Sequence, residues 1–119
     1  MTSLELHDRV VGIFPEFAPY WHASDNVFRE DNGEYAACGV FAHLSHFIRE
    51  RFPSLPPSAL SALGVFIDEC LASTDTELAD AAATCFLENL IAEPFTPAFT
   101  EHLGPRGKEC IRELKGRAV

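Results

Sequence analysis

The sequence predicts an all-α fold, a single-domain irregular helical bundle of about five to six helices over residues 1–119. Three observations carry this reading. Apolar residues recur at the 3.6-residue spacing of a helix in one segment after another. Prolines and glycines cluster at the joints between those segments. At one joint, Thr74-Asp75-Thr76-Glu77, a Thr and a Glu stand three apart ahead of an apolar run, the pattern of a capping box. The 119 residues suffice for one hydrophobic core and are too few for two. Apolar residues make up 47% of the chain, which argues against disorder despite a net charge of -9.

Taken in order, Thr2 or Ser3 can cap a first helix through about Phe14, with Leu6, Val10, Ile13 and Phe14 near one face. Pro15 and Pro19 break it, leaving a short aromatic turn over Phe17-Ala18-Pro19-Tyr20-Trp21. Residues 22–33 read as a polar loop ending in the turn signal Asn32-Gly33, which would close at most a small hairpin. A second helix is expected from about Glu34 to Phe52, with Ala37, Val40, Phe41, Leu44, Phe47, Ile48 and Phe52 in one broad arc. Pro53 and Pro56 end it, and Pro57 suits the first turn of a third helix through about Ala72, burying Leu60, Leu63, Ile67, Cys70 and Leu71. The capping box then opens a fourth helix to about Ala92. Thr96-Pro97 starts a short fifth helix that Gly104 stops, and a sixth runs from about Pro105 to Leu114. The third and fourth helices form a tight hairpin, whose small Ala79, Ala82 and Ala83 allow close approach. That pair resembles one HEAT-like hairpin of an α-solenoid, but no period near 40 residues repeats.

Charge is distributed unevenly. Between Arg51 and Arg106 there is no lysine or arginine, yet the stretch holds eight carboxylates: Asp68, Glu69, Asp75, Glu77, Asp80, Glu88, Glu93 and Glu101. Basic residues gather instead at the end, as Arg106, Lys108, Arg112, Lys115 and Arg117. Without interleaved lysines the helices forgo the i, i+4 pairs that solvated helices commonly use. A one-signed field speeds association with a basic protein and repels nucleic acid. The expected partner surface comprises Asp68, Glu69, Glu77, Asp80 and Glu88, extended by Tyr20 and Trp21, although Trp21 suits the core better. No apolar run approaches the roughly 20 residues needed to span a bilayer. The acidic N-terminus lacks the basic start of a secretory signal, so the cytoplasm is the expected compartment and neither membrane nor nucleic acid an expected partner.

Four cysteines, Cys38, Cys70, Cys85 and Cys110, are too far apart for a CxxC pair. They are expected as buried thiols acting as small apolar side chains, with a single bridge between packed helices as the alternative. Catalytic patterns are sparse. His43, His46 and Glu50 share a helix face and match the ligand types of a His/His/carboxylate metal site, an alternative that would make the chain a metal-dependent helical enzyme. The first and last of them lie about 10 Å apart along the axis, however, and the stripe faces away from the apolar arc. A solvated stripe is therefore expected, with Glu50 supporting His46. His22, Asp25 and Glu30–Asp31 could perform acid–base work only if buried. Gly33, Gly39, Gly64 and Gly104 form no phosphate loop, and Asn89 reads as a buried amide that caps neighbouring backbone. No cofactor is expected.

The segments IFPEF, VFAHLSHFI, ALSALGVFIDECL and ELADAAATCFLENL, in that order, resemble a family of small acidic all-helical bacterial proteins of unknown function. That family is similar to immunity proteins encoded beside polymorphic toxins. The likeness spans roughly residues 8–114, is most specific over Thr84–Leu90, and departs at 22–33. It implies a binding protein that blocks a partner; with the charge distribution, the concrete form is an immunity protein for a toxin with a basic surface. A nucleic-acid mimic, with carboxylates standing in for phosphates, is the related alternative.

Overall fold

The computed structural model describes residues 2–23 and 37–118; of the loop expected at 22–33, residues 22 and 23 belong to a helix, while residues 24–33 with the Asn32-Gly33 turn and the helix start near Glu34 lie outside the described residues. Thr2 is the cap of α1 (Ser3–Ile13): its hydroxyl accepts from Glu5 N at 3.1 Å, and the Glu5 carboxylate accepts from Thr2 N at 2.9 Å. This reciprocal box satisfies two donors that the first helical turn leaves open. The aromatic stretch after Pro15 is not a turn but a helix, α2 (Phe17–Ala23). Pro19 falls in its first turn, where a missing N–H costs nothing, and the winding puts Phe17 and Trp21 four apart on one buried face.

Helix α3 (Ala37–Arg51) ends in a 3-10 turn, Phe52–Ser54, forced by Pro53. Helix α4 (Pro57–Leu71) starts on Pro57 as expected and buries Leu60, Leu63, Gly64, Phe66, Ile67 and Cys70. Helix α5 (Thr76–Asp80) is capped one residue later than the Thr74 box requires: Asp75 accepts from Leu78 N at 3.2 Å, while Ser73 Oγ accepts from Asp75 N at 3.0 Å. The small turn made by Ser73 lengthens the joint and moves the helix start. Beyond α5 the chain winds as a π-helix over Ala81–Leu87 and a 3-10 turn over Glu88–Leu90. The reason lies in the burial pattern. Ala81 and Ala82 are buried, as are Phe86 and Leu87 five residues on, a spacing out of phase with 3.6 residues but in phase with i→i+5 winding.

Short α6 (Thr96–Thr100) follows a turn closed by Thr96, whose buried hydroxyl donates to the Leu90 carbonyl and accepts from Glu93 N. Helix α7 (Pro105–Ala118) then lies against α4. Among the described residues there are no strands, and none of the helices is long and apolar enough to cross a membrane. The radius of gyration, 13.4 Å, is close to the roughly 13.5 Å expected of one globule of this length.

Helix α3 sits at the centre and runs parallel to the π-helical segment. Cys38 bonds Cys85, 47 residues on, and Ser45 meets Asn89, 44 residues on. A near-constant offset means that the two run side by side in the same sense, with α4 as the return path. The α4–α5 hairpin exists, but the π-helical segment that continues its second arm packs more heavily on α3 than on α4, so it is not a freestanding repeat unit. Two aromatic clusters flank α3. Phe14, Phe17 and Phe47 meet at 5.6 Å centroid distances on one side; Phe41, Phe86 and Phe99 form a chain at 6.0 Å steps on the other. Phe52 stacks on Phe95 at 4.6 Å.

Against the thiol expectation, Cys38 and Cys85 form a disulfide with Cα atoms 5.3 Å apart; Cys70 and Cys110 are free. Parallel packing of α3 on the π segment brings the pair together, which no spacing in the sequence discloses. Closing a loop of 47 residues contributes about 4 kcal/mol in the chain-entropy picture.

One contact leaves no room for any side chain. A Cβ built on Gly64 would lie 1.9 Å from the His102 carbonyl oxygen, so α4 and the 102–104 turn touch backbone to backbone. Gly12 has nothing within 4 Å. Gly64→Ala is expected to lower the unfolding free energy by about 2–4 kcal/mol, whereas Gly12→Ala, on the exposed face of α1, should raise it by about 0.5–1 kcal/mol. Urea denaturation midpoints of the two variants check both signs.

Candidate partner-binding surface

The carboxylates expected to act together are divided by the fold into structural and exposed groups. Asp68, near the end of α4, caps α7: its oxygens accept from Arg106 N at 3.2 Å and Gly107 N at 2.8 Å. Those are two of the open donors of a helix N-terminus, and a carboxylate also suits its positive end. A Cβ on Gly104 would stand 2.5 Å from Asp68 Oδ2, so the glycine makes way for this cap. Glu69 pairs with Arg9 of α1 at 3.2 Å, and the same guanidinium lies 4.7 Å from the Phe66 ring centre. Glu93 pairs with Arg49 at 2.7 Å, and Asp75 caps α5. Arginines remote in sequence thus neutralise acids that have no basic neighbour along the chain.

Glu77, Asp80 and Glu88 remain exposed, and among the described residues no cation pairs with them. Glu77 and Asp80 line an open groove of about 410 Å³ with Thr76, Ala81, Thr84, Cys85 and, from α3, Cys38. The Thr84 hydroxyl donates to the Asp80 carbonyl at 2.7 Å, leaving the Asp80 carboxylate free of that turn. Glu88 does not line the groove. It faces α7, where burial first, then Glu113 and Glu88, push the Cys110 thiol up. The wide winding of Ala81–Leu87 carries Glu88 off the flank that a regular helix would have given it.

The aromatic extension does not join this groove. Trp21 is fully buried and serves the core, its ring 5.4 Å from His7, 5.9 Å from Phe17 and 5.0 Å from His43. Its assignment to a partner surface is corrected by the helical winding of α2, which turns positions 17 and 21 inward together. Tyr20 is half-buried over Phe47 and Arg51. Cys38 and Phe47 are nine residues apart on α3, about 14 Å along its axis and on opposite sides, so Tyr20 and the acidic groove are separate features.

The stripe of His43, His46 and Glu50 is not solvated as expected. His43 is 4% exposed and packed among Tyr20 at 4.8 Å, Trp21 and Phe17, because α2 covers that side of α3. His46 is half-buried, with its ring 6.5 Å from that of His43, and Glu50 is exposed. Burial pushes the Tyr20 phenol up, and the Glu50 carboxylate beside it adds by charge and hydrogen bonding; Glu50 thus serves Tyr20 as well as lying near His46. Among the described residues no three His, Cys, Asp or Glu side chains are arranged to hold a metal ion. His22, Asp25 and Glu30–Asp31 lie outside what the structure describes, apart from the backbone of His22.

Asn89, expected on the apolar side, is exposed, yet its amide does hold backbone: Nδ2 donates to the Cys85 carbonyl at 2.8 Å and to Ser45 Oγ at 3.3 Å. Sequence reasoning keeps a single bridge between packed helices as its alternative but does not identify the partners, Cys38 and Cys85 in the groove. Both cysteines were visible; their adjacency depends on the α3 pairing.

Two outcomes are expected. Asp68→Ala should cost about 1 kcal/mol by loss of a helix cap, whereas Glu77→Ala should stay within about 0.5 kcal/mol; thermal denaturation separates them. Burial foremost, with the His46 charge, holds His43 below the ordinary imidazole value of 6.5, against a backbone hydrogen bond at Tyr20 and the Glu50 charge. The unfolded chain therefore binds the proton more readily, so stability is full above about pH 6.5 and falls as pH drops below it. His43→Phe should flatten that dependence in urea titrations between about pH 7.5 and 5.

A family model described as a domain of unknown function (DUF7674) matches residues 7–116. No curated protein and no solved structure matches the chain.

Proposed function

Since the chain belongs to the DUF7674 family, whose function is unknown, we propose its role from its own surface: an acidic, non-enzymatic binding protein that engages a basic protein. The observation that carries this reading is the state of Glu77 and Asp80. Asp68, Asp75, Glu69 and Glu93 are engaged in caps and ion pairs, while these two stay exposed on the rim of an open groove, with no cation among the described residues paired to them. Unpaired charge of one sign on a concave surface draws a partner of the other sign and orients it as it arrives. Glu88 extends the same sign toward α7, and the overall charge of -9 reinforces it. Tyr20, half-buried on the far side of α3, is a separate polar–aromatic contact point.

The concrete form of this reading is an immunity-type inhibitor that covers a basic surface of a bacterial toxin. It rests on the resemblance of the segments from IFPEF to ELADAAATCFLENL, and on the fit between an acidic groove and a basic target. In such a complex, electrostatics chiefly set the association rate, and burial around the groove sets the lifetime.

Affinity capture on the immobilised chain from its native host, eluted by a salt step, should release a basic protein at moderate salt. With that protein in hand, Glu77→Lys/Asp80→Lys/Glu88→Lys should slow association by about tenfold or more at low salt and change dissociation much less. An association rate unaltered by the triple reversal would remove the steering role of these residues. Protection of cells from the captured protein would establish the inhibitor form.

A further inference from the structure

The disulfide is placed where solvent can reach it and where the side chains of the π-helical segment around it are small. Cys38 is exposed and Cys85 half-buried, and both line the open groove. The interface between α3 and the segment after α5 is unequal along its length. From Phe86 onward it is dense: Phe41 meets Phe86, Ser45 accepts from Asn89, and Arg49 donates to the Asn89 carbonyl at 2.9 Å and pairs with Glu93. Toward Ala81 the segment offers Ala81, Ala82, Ala83, Thr84 and Cys85, whose small side chains contribute little apolar area. Leu78 is the one large side chain that residues 76–85 bury there, and the sulfur bridge adds a covalent tie to α3 at that end.

We propose that Cys38–Cys85 is a thiol–disulfide exchange site, opened by a dithiol reductant while the rest of the chain stays folded. A thiolate of the reductant attacks Sγ of Cys38, the more exposed residue of the pair. The S–S bond breaks, and Cys85 leaves as a thiolate that takes a proton. The second thiol of the reductant then attacks its own sulfur in the mixed disulfide, freeing Cys38, which is protonated in turn. Two electrons and two protons pass to the protein, and the reductant becomes a disulfide. The exchange stays confined to this pair. Cys70 is buried with its thiol pushed up to about 12, and burial also raises Cys110, so neither presents the thiolate needed to attack the bridge. On reduction the dense end keeps its aromatic and ionic contacts, and the groove end, from Thr76 to Cys85, gains freedom. This holds whatever partner the acidic rim meets.

The test uses the full chain purified without reductant. Maleimide labelling followed by intact-mass and peptide analysis should find Cys38 and Cys85 unlabelled. After dithiothreitol in native buffer both should label within minutes, and Cys70 should not. In the reduced chain, amides of residues 76–85 should exchange hydrogen about tenfold faster or more, while those of residues 86–93 keep their protection. The variant Cys38→Ser/Cys85→Ser should show the reduced pattern with no response to dithiothreitol. Labelling of both cysteines before any reductant, or only after denaturation, would overturn the proposal. So would a reduced chain whose exchange is unchanged, or accelerated throughout; these last readings come from the native sequence and hold even if the serine variant fails to fold.

Discussion

Helix α3 is hemmed in on several sides at once. It takes α1 and α2 on one flank and the segment following α5 on the other. Its Phe47 enters one aromatic cluster and its Phe41 the other, and Ser45, with no exposed surface, bonds across to Asn89. Two helices that run in the same sense cannot be joined by a short turn, so α4 must carry the chain back between them. Much of the topology follows from that pairing. The backbone-to-backbone contact at Gly64, the cap that Asp68 gives α7 and the clasp between Arg9 and Glu69 all fix α4 as the return path. The π winding follows too, because a five-residue repeat of buried side chains faces α3 only when the helix is wound i→i+5.

A run of acids without nearby lysines looks uniform in sequence and is not uniform in space. Folding sorts it by what each carboxylate meets. Helix N-termini take Asp68 and Asp75, and distant arginines take Glu69 and Glu93. Glu77, Asp80, Glu88 and Glu101 stay exposed after that sorting, and of these Glu77 and Asp80 line the groove. Local charge density is thus a poor guide to which carboxylates the fold leaves exposed.

Features governed by local chemistry were legible in the sequence. A cap for α1 at Thr2 or Ser3, Pro57 at the start of α4, and the starts of α6 at Thr96 and α7 at Pro105 each follow from capping and proline rules acting within a few residues. What escaped depends on contacts between distant segments. His43 looks solvent-facing on a lone helix and is buried because α2 folds over it; α2 itself was hidden by two prolines that suggested only a turn. Thr74 and Asp75 are both good caps, and a single Ser73 hydroxyl decides between them. The cysteine pairing needed the parallel register, which periodicity does not encode. The π segment did leave a trace, in the repeat Ala81-Ala82 and Phe86-Leu87, but its meaning is clear only once the buried side is known.

The same register has a consequence for synthesis. The apolar face that Phe41 and Leu44 present finds its partner at Phe86 and beyond, more than 40 residues later. While the ribosome adds those residues, at about 5–20 per second, α3 waits with one flank uncovered for seconds. The nascent chain can assemble α1, α2 and α3 around Phe47 early, but the second cluster must wait. That interval, before the π segment emerges to cover α3, is when this chain is most exposed to chaperones, to proteases and to its own copies.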